Sequence, residues 1–224
     1  MATMRIPPGQ AAPPAERMIC AVVLAAGRSR RMGTQKLLLP LRGQPVIARI
    51  VDELQRGPTN RVWVVIGHDG ERIRHALVGR NVNFVTNPDA EGDMLSSVRC
   101  GVRALPEPWA AVLIVPGDQP TLTSRVVSSL VRTFQAARCG IAVPTYRGRR
   151  GHPVLIARRH REEVLEHHEA MGLRGLLQTH PTEVVEVEVD DPGVLDDMDR
   201  PEDYERIAKR VEVPGWSRRS RSGR

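Results

Sequence analysis

The chain has 224 residues, 41% of them hydrophobic, and a formal charge of +7. That length supports a substantial core and excludes a disordered polar chain, and no apolar run approaches the roughly 20 residues of a membrane span. Residues 211–224 carry +3 and residues 1–17 carry +1, leaving +3 for 18–210, so most of the surplus sits at the ends. Seven scattered aromatic residues offer no stacking platform for single-stranded nucleic acid, and no specific nucleic-acid or membrane partner is expected.

Three separated cysteines, Cys20, Cys100 and Cys139, have no zinc spacing and no disulfide framework, which suggests a reducing cytoplasm. Cys20 reads as a small buried hydrophobe within an apolar run. Only Lys36 and Lys209 are lysines among 33 basic residues. A compact ammonium kept in a chain that otherwise uses arginine marks Lys36 for attention.

Residues 1–17 read as a flexible lead-in without the apolar segment of a signal peptide. Met18–Leu24 is a continuous apolar run, as expected of a parallel strand covered on both faces. A polar, glycine-containing loop follows, and then Val46, Ile47, Ile50, Val51 and Leu54 recur at helical spacing. A second strand over 62–67, a short helix in ERIRHALVG, a third strand over 81–88 and a helix from Ser96 to Leu105 come next. Residues 110–120 read as a buried strand ending in a tight turn, followed by a helix carrying Val126, Val127, Leu130, Val131 and Phe134. IAVPTY, HPVLIA and EVVEVEV are later strands, the last wet on one face because Val and Glu alternate.

A closing helix has Pro201 at its first position, and residues 211–224 read as a basic, disordered tail. His160, His167, His168 and His180 fall in or near a charged helix and its following loop and read as surface residues without a zinc pattern. The alternation of strands and helices predicts a three-layer α/β fold with a mostly parallel central sheet, in a single domain over 18–210. Such sheets bind ligands beyond the carboxyl ends of their strands.

The loop LAAGRSRRMGTQKLLLP, Leu24 to Pro40, occupies that position. Small Ala25, Ala26 and Gly27 expose backbone amides, and Arg28, Arg30, Arg31 and Lys36 follow within nine residues, which suits a polyphosphate. Five residues separate Gly27 from Gly33, and Thr34 follows, so this is not a Walker A loop; the dinucleotide pattern GxGxxG is also absent. In Val115-Pro116-Gly117-Asp118-Gln119-Pro120, Asp118 either holds a hard cation such as Mg2+ or caps its own turn. Asp197 and Asp199 stand just before the last helix, where Asp199 reads first as its cap.

LAAGRSRRMGTQKLLLP, VPGDQP, GRRGHPVLI and DMDRPEDY, in this order, resemble the MobA-like nucleotidyltransferases, and among them the molybdenum cofactor cytidylyltransferases. The resemblance covers about residues 18–208. It implies a Rossmann-like nucleotidyltransferase fold and transfer of a nucleoside monophosphate from an NTP with release of pyrophosphate. Leu24, Ala25, Ala26 and Gly27 would hold the base and sugar, Arg31 and Lys36 the triphosphate, and Asp118 the Mg2+. Asp199 would be a second metal ligand. Ser96 and Ser97 match a serine-rich segment near the nucleotide, although AEGDMLSS departs from the usual run of serines. Gly151, His152 and Pro153 match the stretch facing a molybdopterin-type phosphate acceptor, and a transient contact with a molybdoenzyme is implied. Ala25-Ala26-Gly27 is similar to the CTP-using group, whereas the GTP-using group has Ala-Gly-Gly. The alternatives are a guanylyltransferase, a transferase for another small phosphate acceptor, and a molybdenum cofactor carrier without chemistry.

Overall fold

Strand β1 (Ile19–Ala25) sets the layering of the molecule. Its Ile19, Ala21, Val23 and Ala25 join one buried cluster, while Cys20 and Val22 join a second. Side chains alternate across a strand, so a run that is apolar at every position demands cover on both faces. The computed structural model describes residues 18–89 and 92–212. The expected lead-in over 1–17 and the tail beyond 212 lie outside the described residues.

After β1 come a small hairpin of β2 (Pro40–Leu41) and β3 (Gln44–Pro45), helix α1 (Val46–Arg56), β4 (Arg61–Ile66), α2 (Gly70–Ala76) and β5 (Asn83–Thr86). Helix α3 (Met94–Arg103), β6 (Ala111–Pro116), α4 (Ser124–Ala137), β7 (Ile141–Tyr146), β8 (Arg149–Arg150) and β9 (Val154–Ala157) follow. The chain continues through α5 (Arg161–Glu166), α6 (Leu173–Thr179), β10 (Val184–Glu188) and α7 (Pro201–Glu212). Helix α7 therefore runs two residues into the segment read as tail.

The main sheet has the order β10-β7-β9-β6-β1-β4-β5, with β8 paired to β7. β1 is parallel to β4 and β6, β4 to β5, and β10 to β7; only β9, between β6 and β7, and short β8 run antiparallel. Helices α1, α2, α4 and α7 cover one face through Ile47, Leu54, Ile73, Val127, Leu130 and Ile207. Helices α3, α5 and α6 cover the other through Leu95, Val98, Val102, Val164 and Leu176. Burying one such side chain contributes about 1.5–3 kcal/mol, so the two apolar layers hold the sheet between them. The result is the expected three-layer, mostly parallel architecture.

The sequence placed the start of α3 at Ser96, but the helix begins at Met94. The cause is Asp93, whose carboxylate accepts the Ser96 N–H at 3.0 Å and caps the first turn. The third strand is shorter than expected, Asn83–Thr86. In β10, Glu186 and Glu188 face solvent and Val187 is buried, as the alternation required. Cys20 is fully buried and burial pushes its thiol up to about 11, leaving it an inert core residue. The histidine reading needs correction. His167 is exposed, but His160 is buried at 4% exposure, and His160, His168 and His180 gather around Glu163 and Glu183. Among the described residues no helix is long and apolar enough to cross a membrane.

Candidate functional site

Beyond the carboxyl ends of β1 and β6 the structure opens a cleft of about 250 Å³. Its floor is backbone. Leu24 of β1 lies opposite Pro116 of β6, and the Gly117 N–H donates to the Leu24 carbonyl at 3.0 Å. A Cβ on Gly117 would stand 2.5 Å from that carbonyl oxygen, so the approach of the two strand ends requires glycine there. Asp118 is delivered to the cleft directly behind this contact.

The loop after β1 is held by Gln35, which is 5% exposed. Its Nε2 donates to the Gly27 carbonyl at 3.2 Å and to Asp69 Oδ2 at 2.9 Å, while its Oε1 accepts from the Ser29 hydroxyl at 2.9 Å. Ser29 has φ 52°, in the left-handed region, and its Oγ accepts the Lys36 N–H at 3.1 Å. A short 3-10 turn over Lys36–Leu38 then buries Leu37 and turns the Lys36 side chain into the cleft.

Lys36 meets two carboxylates there. Its Nζ donates to Asp118 Oδ2 at 2.7 Å and to Asp199 Oδ1 at 2.9 Å, with only 14% of the lysine side chain exposed. Burial pulls Lys36 toward the neutral form, but the Asp118 and Asp199 charges and hydrogen bonds outweigh it and hold the ammonium above its ordinary value. Arg31, 73% exposed, reaches Asp199 Oδ2 at 3.4 Å. Both Asp199 oxygens thus serve the basic groups of the loop, which corrects the reading of this residue as a helix cap.

Asp197 completes the set. One carboxylate oxygen from each of Asp118, Asp197 and Asp199 lies within 4.8 Å of the others. Burial, followed by the charges of Asp118 and Asp199, pushes Asp197 above the usual carboxylate range despite the opposing Lys36. Its partner in sequence, Asp196, faces the other way: it is 5% exposed, accepts from Thr121 Oγ1 at 2.6 Å and pairs with Arg206 and Arg210. Met198 is fully buried. Asp197 and Asp199 therefore share one side of an extended segment, and that period-two alternation is visible in Asp-Asp-Met-Asp.

The remaining predicted residues divide. Leu24, Ala26, Gly27, Lys36, Ser97 and Asp118 line the cleft, together with Gly92, Asp93 and Met94, which sequence reasoning missed. Ala25 belongs to the core at 2% exposure. Ser96 faces a neighbouring cleft, where its hydroxyl donates to the carbonyls of Asp89 and Asp93. Asn87 Nδ2 donates to both serines at 3.0 Å. Gly151 and Pro153 are buried between β8 and β9, with the Gly151 N–H on the Pro144 carbonyl and the His152 N–H on the Val194 carbonyl. Burial holds the His152 ring below its ordinary value; Asp118 opposes this and Arg174 reinforces it. The loop–strand–carboxylate constellation is thus assembled, with the 151–153 stretch beside it.

Known proteins resemble this chain in sequence and in fold. Over 135 residues the chain is 35% identical to the bifunctional protein GlmU of Mycolicibacterium paratuberculosis, covering 55% of this chain but 27% of that protein. The chain thus matches about a quarter of the length of such relatives. It is 26% identical over 187 residues to the molybdenum cofactor cytidylyltransferase of Escherichia coli K12, covering 82% of this chain and 92% of that one. The crystal structure of Rv0371C from Mycobacterium tuberculosis H37Rv in complex with manganese superposes with a TM-score of 0.73 at 25% identity, over 86% of this chain and 98% of that one. Residues 21–184, which carry most of β1, the Lys36 loop and Asp118, match the model of the MobA-like NTP transferase domain, and the chain belongs to that family.

Proposed function

We propose that the chain transfers CMP from CTP to the terminal phosphate of molybdenum-bearing molybdopterin and releases pyrophosphate. The observation that carries this reading is the Lys36 ammonium held between Asp118 and Asp199 beyond the ends of β1 and β6. The near full-length likeness to a molybdenum cofactor cytidylyltransferase supports the choice of nucleotide and acceptor.

In this reaction an acceptor phosphate oxygen attacks the α-phosphorus of CTP. The bond from that phosphorus to the oxygen bridging the β-phosphate breaks, and pyrophosphate leaves with the electron pair. The attacking group is already an anion at neutral pH, so the enzyme has no proton to remove; its work is positioning two anions and offsetting their charge. Lys36 supplies a point charge to the α-phosphate, and exposed Arg31 steadies the departing pyrophosphate.

Three convergent carboxylates, one of them pushed toward its protonated form by burial and then by the other two, are a donor set suited to a hard divalent cation. Asp118 and Asp199 would hold Mg2+, with Asp197 in reach. When bound, the cation supplies neutralisation of triphosphate charge. Leu24, Ala26 and Gly27 would accommodate base and sugar, with Ala25 setting the strand end and Ser97 the facing wall. A methyl at Ala26 restricts a purine, though a difference of this size discriminates by only roughly 10–200-fold. Gly151, His152 and Pro153 would face the acceptor. Residues 18–212 would act as one cytoplasmic transferase domain that passes its product to a molybdoenzyme by transient contact.

The test is pyrophosphate release with Mg2+ and molybdenum-loaded molybdopterin, comparing CTP, GTP, ATP and UTP. Release with CTP alone supports the reading, and release with GTP overturns the assignment to Ala26. Silence with every nucleotide while the cofactor still binds makes the chain a carrier. A second reading keeps the chemistry and changes the phosphate acceptor; the 35% identity over 135 residues to GlmU, a protein not named for the molybdenum cofactor, keeps it open, and pyrophosphate release only with another phosphate acceptor would establish it.

A further inference from the structure

The proposed transfer makes no use of the histidine–glutamate cluster at the other end of the sheet. Ala157, the last residue of β9, lies opposite Ala111, the first of β6, so the turn after β9 emerges at the amino-terminal edge of the parallel strands. That turn, Arg158–His160, carries His160; α5 carries Glu163; the link from α6 to β10 carries His180 and Glu183. We propose that His160, Glu163 and His180 form a binding site for a transition-metal dication of the Zn2+ class.

The spacing supports this. Bonds of about 2.0–2.1 Å around a tetrahedral Zn2+ place neighbouring donor atoms roughly 3.3 Å apart. Glu163 Oε2 is 2.6 Å from His180 Nε2 and 3.8 Å from His160 Nδ1, values that bracket this separation. One donor atom from each residue lies within 4.8 Å of the other two. The two imidazoles are tilted by 56° with centroids 4.6 Å apart, so they are not stacked face to face.

Each ligand also has an outer partner of the kind metal sites use. His160 Nε2 is 3.2 Å from Glu183 Oε2, and Glu183 is itself fixed by an ion pair to Arg159. A histidine that donates one ring N–H to a carboxylate offers its other nitrogen to a metal, here Nδ1. Glu163 Oε1 is 2.8 Å from His168 Nε2, which leaves Oε2 for the cation, and His180 Nδ1 stands 3.8 Å from Glu183 Oε1. The His160 side chain is 5% exposed while that of His180 is 27% exposed, so the ion would enter past His180 and keep water as a further ligand.

Imidazole donors favour Zn2+ over Mg2+, which demands oxygen, so this site and the carboxylate set of the cleft select different ions. Binding displaces the hydrogen from His180 Nε2: a neutral ring moves it to Nδ1, on the side of Glu183, and a charged ring gives one proton to solvent. The bound ion would join α5, α6 and the approach to β10, tying down the edge of the sheet.

Zn2+ is titrated into the untagged, metal-free full chain against a chromophoric chelator, with Mg2+ in large excess. We expect one Zn2+ per chain in the wild type and in Asp118→Ala. His180→Ala and Glu163→Gln should each weaken it at least ~100-fold, and His168→Ala, which removes only an outer partner, about 10-fold. X-ray absorption of the Zn2+-loaded wild type, which does not depend on any variant folding, should show two imidazole ligands. Binding lost in Asp118→Ala, binding unchanged in His180→Ala and Glu163→Gln, or an all-oxygen coordination shell would each overturn the proposal.

Discussion

The two edges of the sheet carry polar clusters of different chemistry. At the carboxyl edge, Lys36 pairs with Asp118 and Asp199, Arg31 pairs with Asp199, and Asp197 stands beside both carboxylates, with Lys36 and Asp118 lining the cleft. At the amino edge, His160, His168 and His180 meet Glu163 and Glu183 over closed, packed turns. The first set can release its ammonium to a phosphate and its carboxylates to a hard cation. The second, where Arg159 pairs with the outer Glu183, presents imidazoles and suits an ion that prefers nitrogen. Position decides the roles: loops beyond the carboxyl ends of parallel strands are free to receive substrate, whereas the opposite edge chiefly holds the layers together.

The largest effect should come from the carboxyl edge. Lys36→Ala and Asp118→Ala should each lower kcat by on the order of 100-fold, about 3 kcal/mol of transition-state stabilisation, with the circular-dichroism spectrum of the wild type. Equal losses in Glu163→Gln would erase the functional distinction between the edges. Next in size, Gly117→Ala forces Cβ against the Leu24 carbonyl and should cost about 1–3 kcal/mol in urea unfolding. A neutral result would mean the two strand ends can separate without consequence.

Gly27→Ala sharpens the comparison from the other side. A Cβ at Gly27 meets no protein atom within 4 Å, so the methyl enters space the cleft keeps for ligand. We expect an unchanged Tm and a several-fold rise in KM for the nucleotide; a lower Tm with unchanged KM would make the glycine structural.

The smallest effect concerns Asp197. Its carboxyl is raised in the folded chain, so that chain retains the proton to a higher pH than the unfolded one. Stability attributable to this group therefore falls as pH rises from the ordinary carboxylate value through the raised one. In the presence of chelator, Asp197→Asn should melt slightly above the wild type at neutral pH, and the difference should vanish at acidic pH. An opposite sign would show that the Asp197 charge is favourably paired.

Much of the carboxyl edge was legible in the sequence because it is written locally. An apolar strand, a small-residue turn and a cationic loop follow one another from Ile19 to Lys36, and Asp118 directly trails β6. The roles of Gln35 and Asp69 were not legible, since their bond joins loops 34 residues apart. Asp199 looked like a cap because Pro201 opens a helix beside it; the direction of its carboxylate is fixed by Lys36, 163 positions away. Ser96 and Ser97 read alike, but the α3 turn sends them to different clefts. The amino-edge histidines read as surface residues because they come from separate turns, and only the fold brings His168 and His180 onto Glu163.

The most direct test of the account follows label from the α-phosphorus of CTP into molybdenum-loaded molybdopterin, with wild type and Lys36→Ala compared at saturating Mg2+. The account predicts stoichiometric incorporation into the acceptor by the wild type and a loss on the order of 100-fold in the variant. Incorporation at the same rate in both would contradict a transfer site built on Lys36, Asp118 and Asp199.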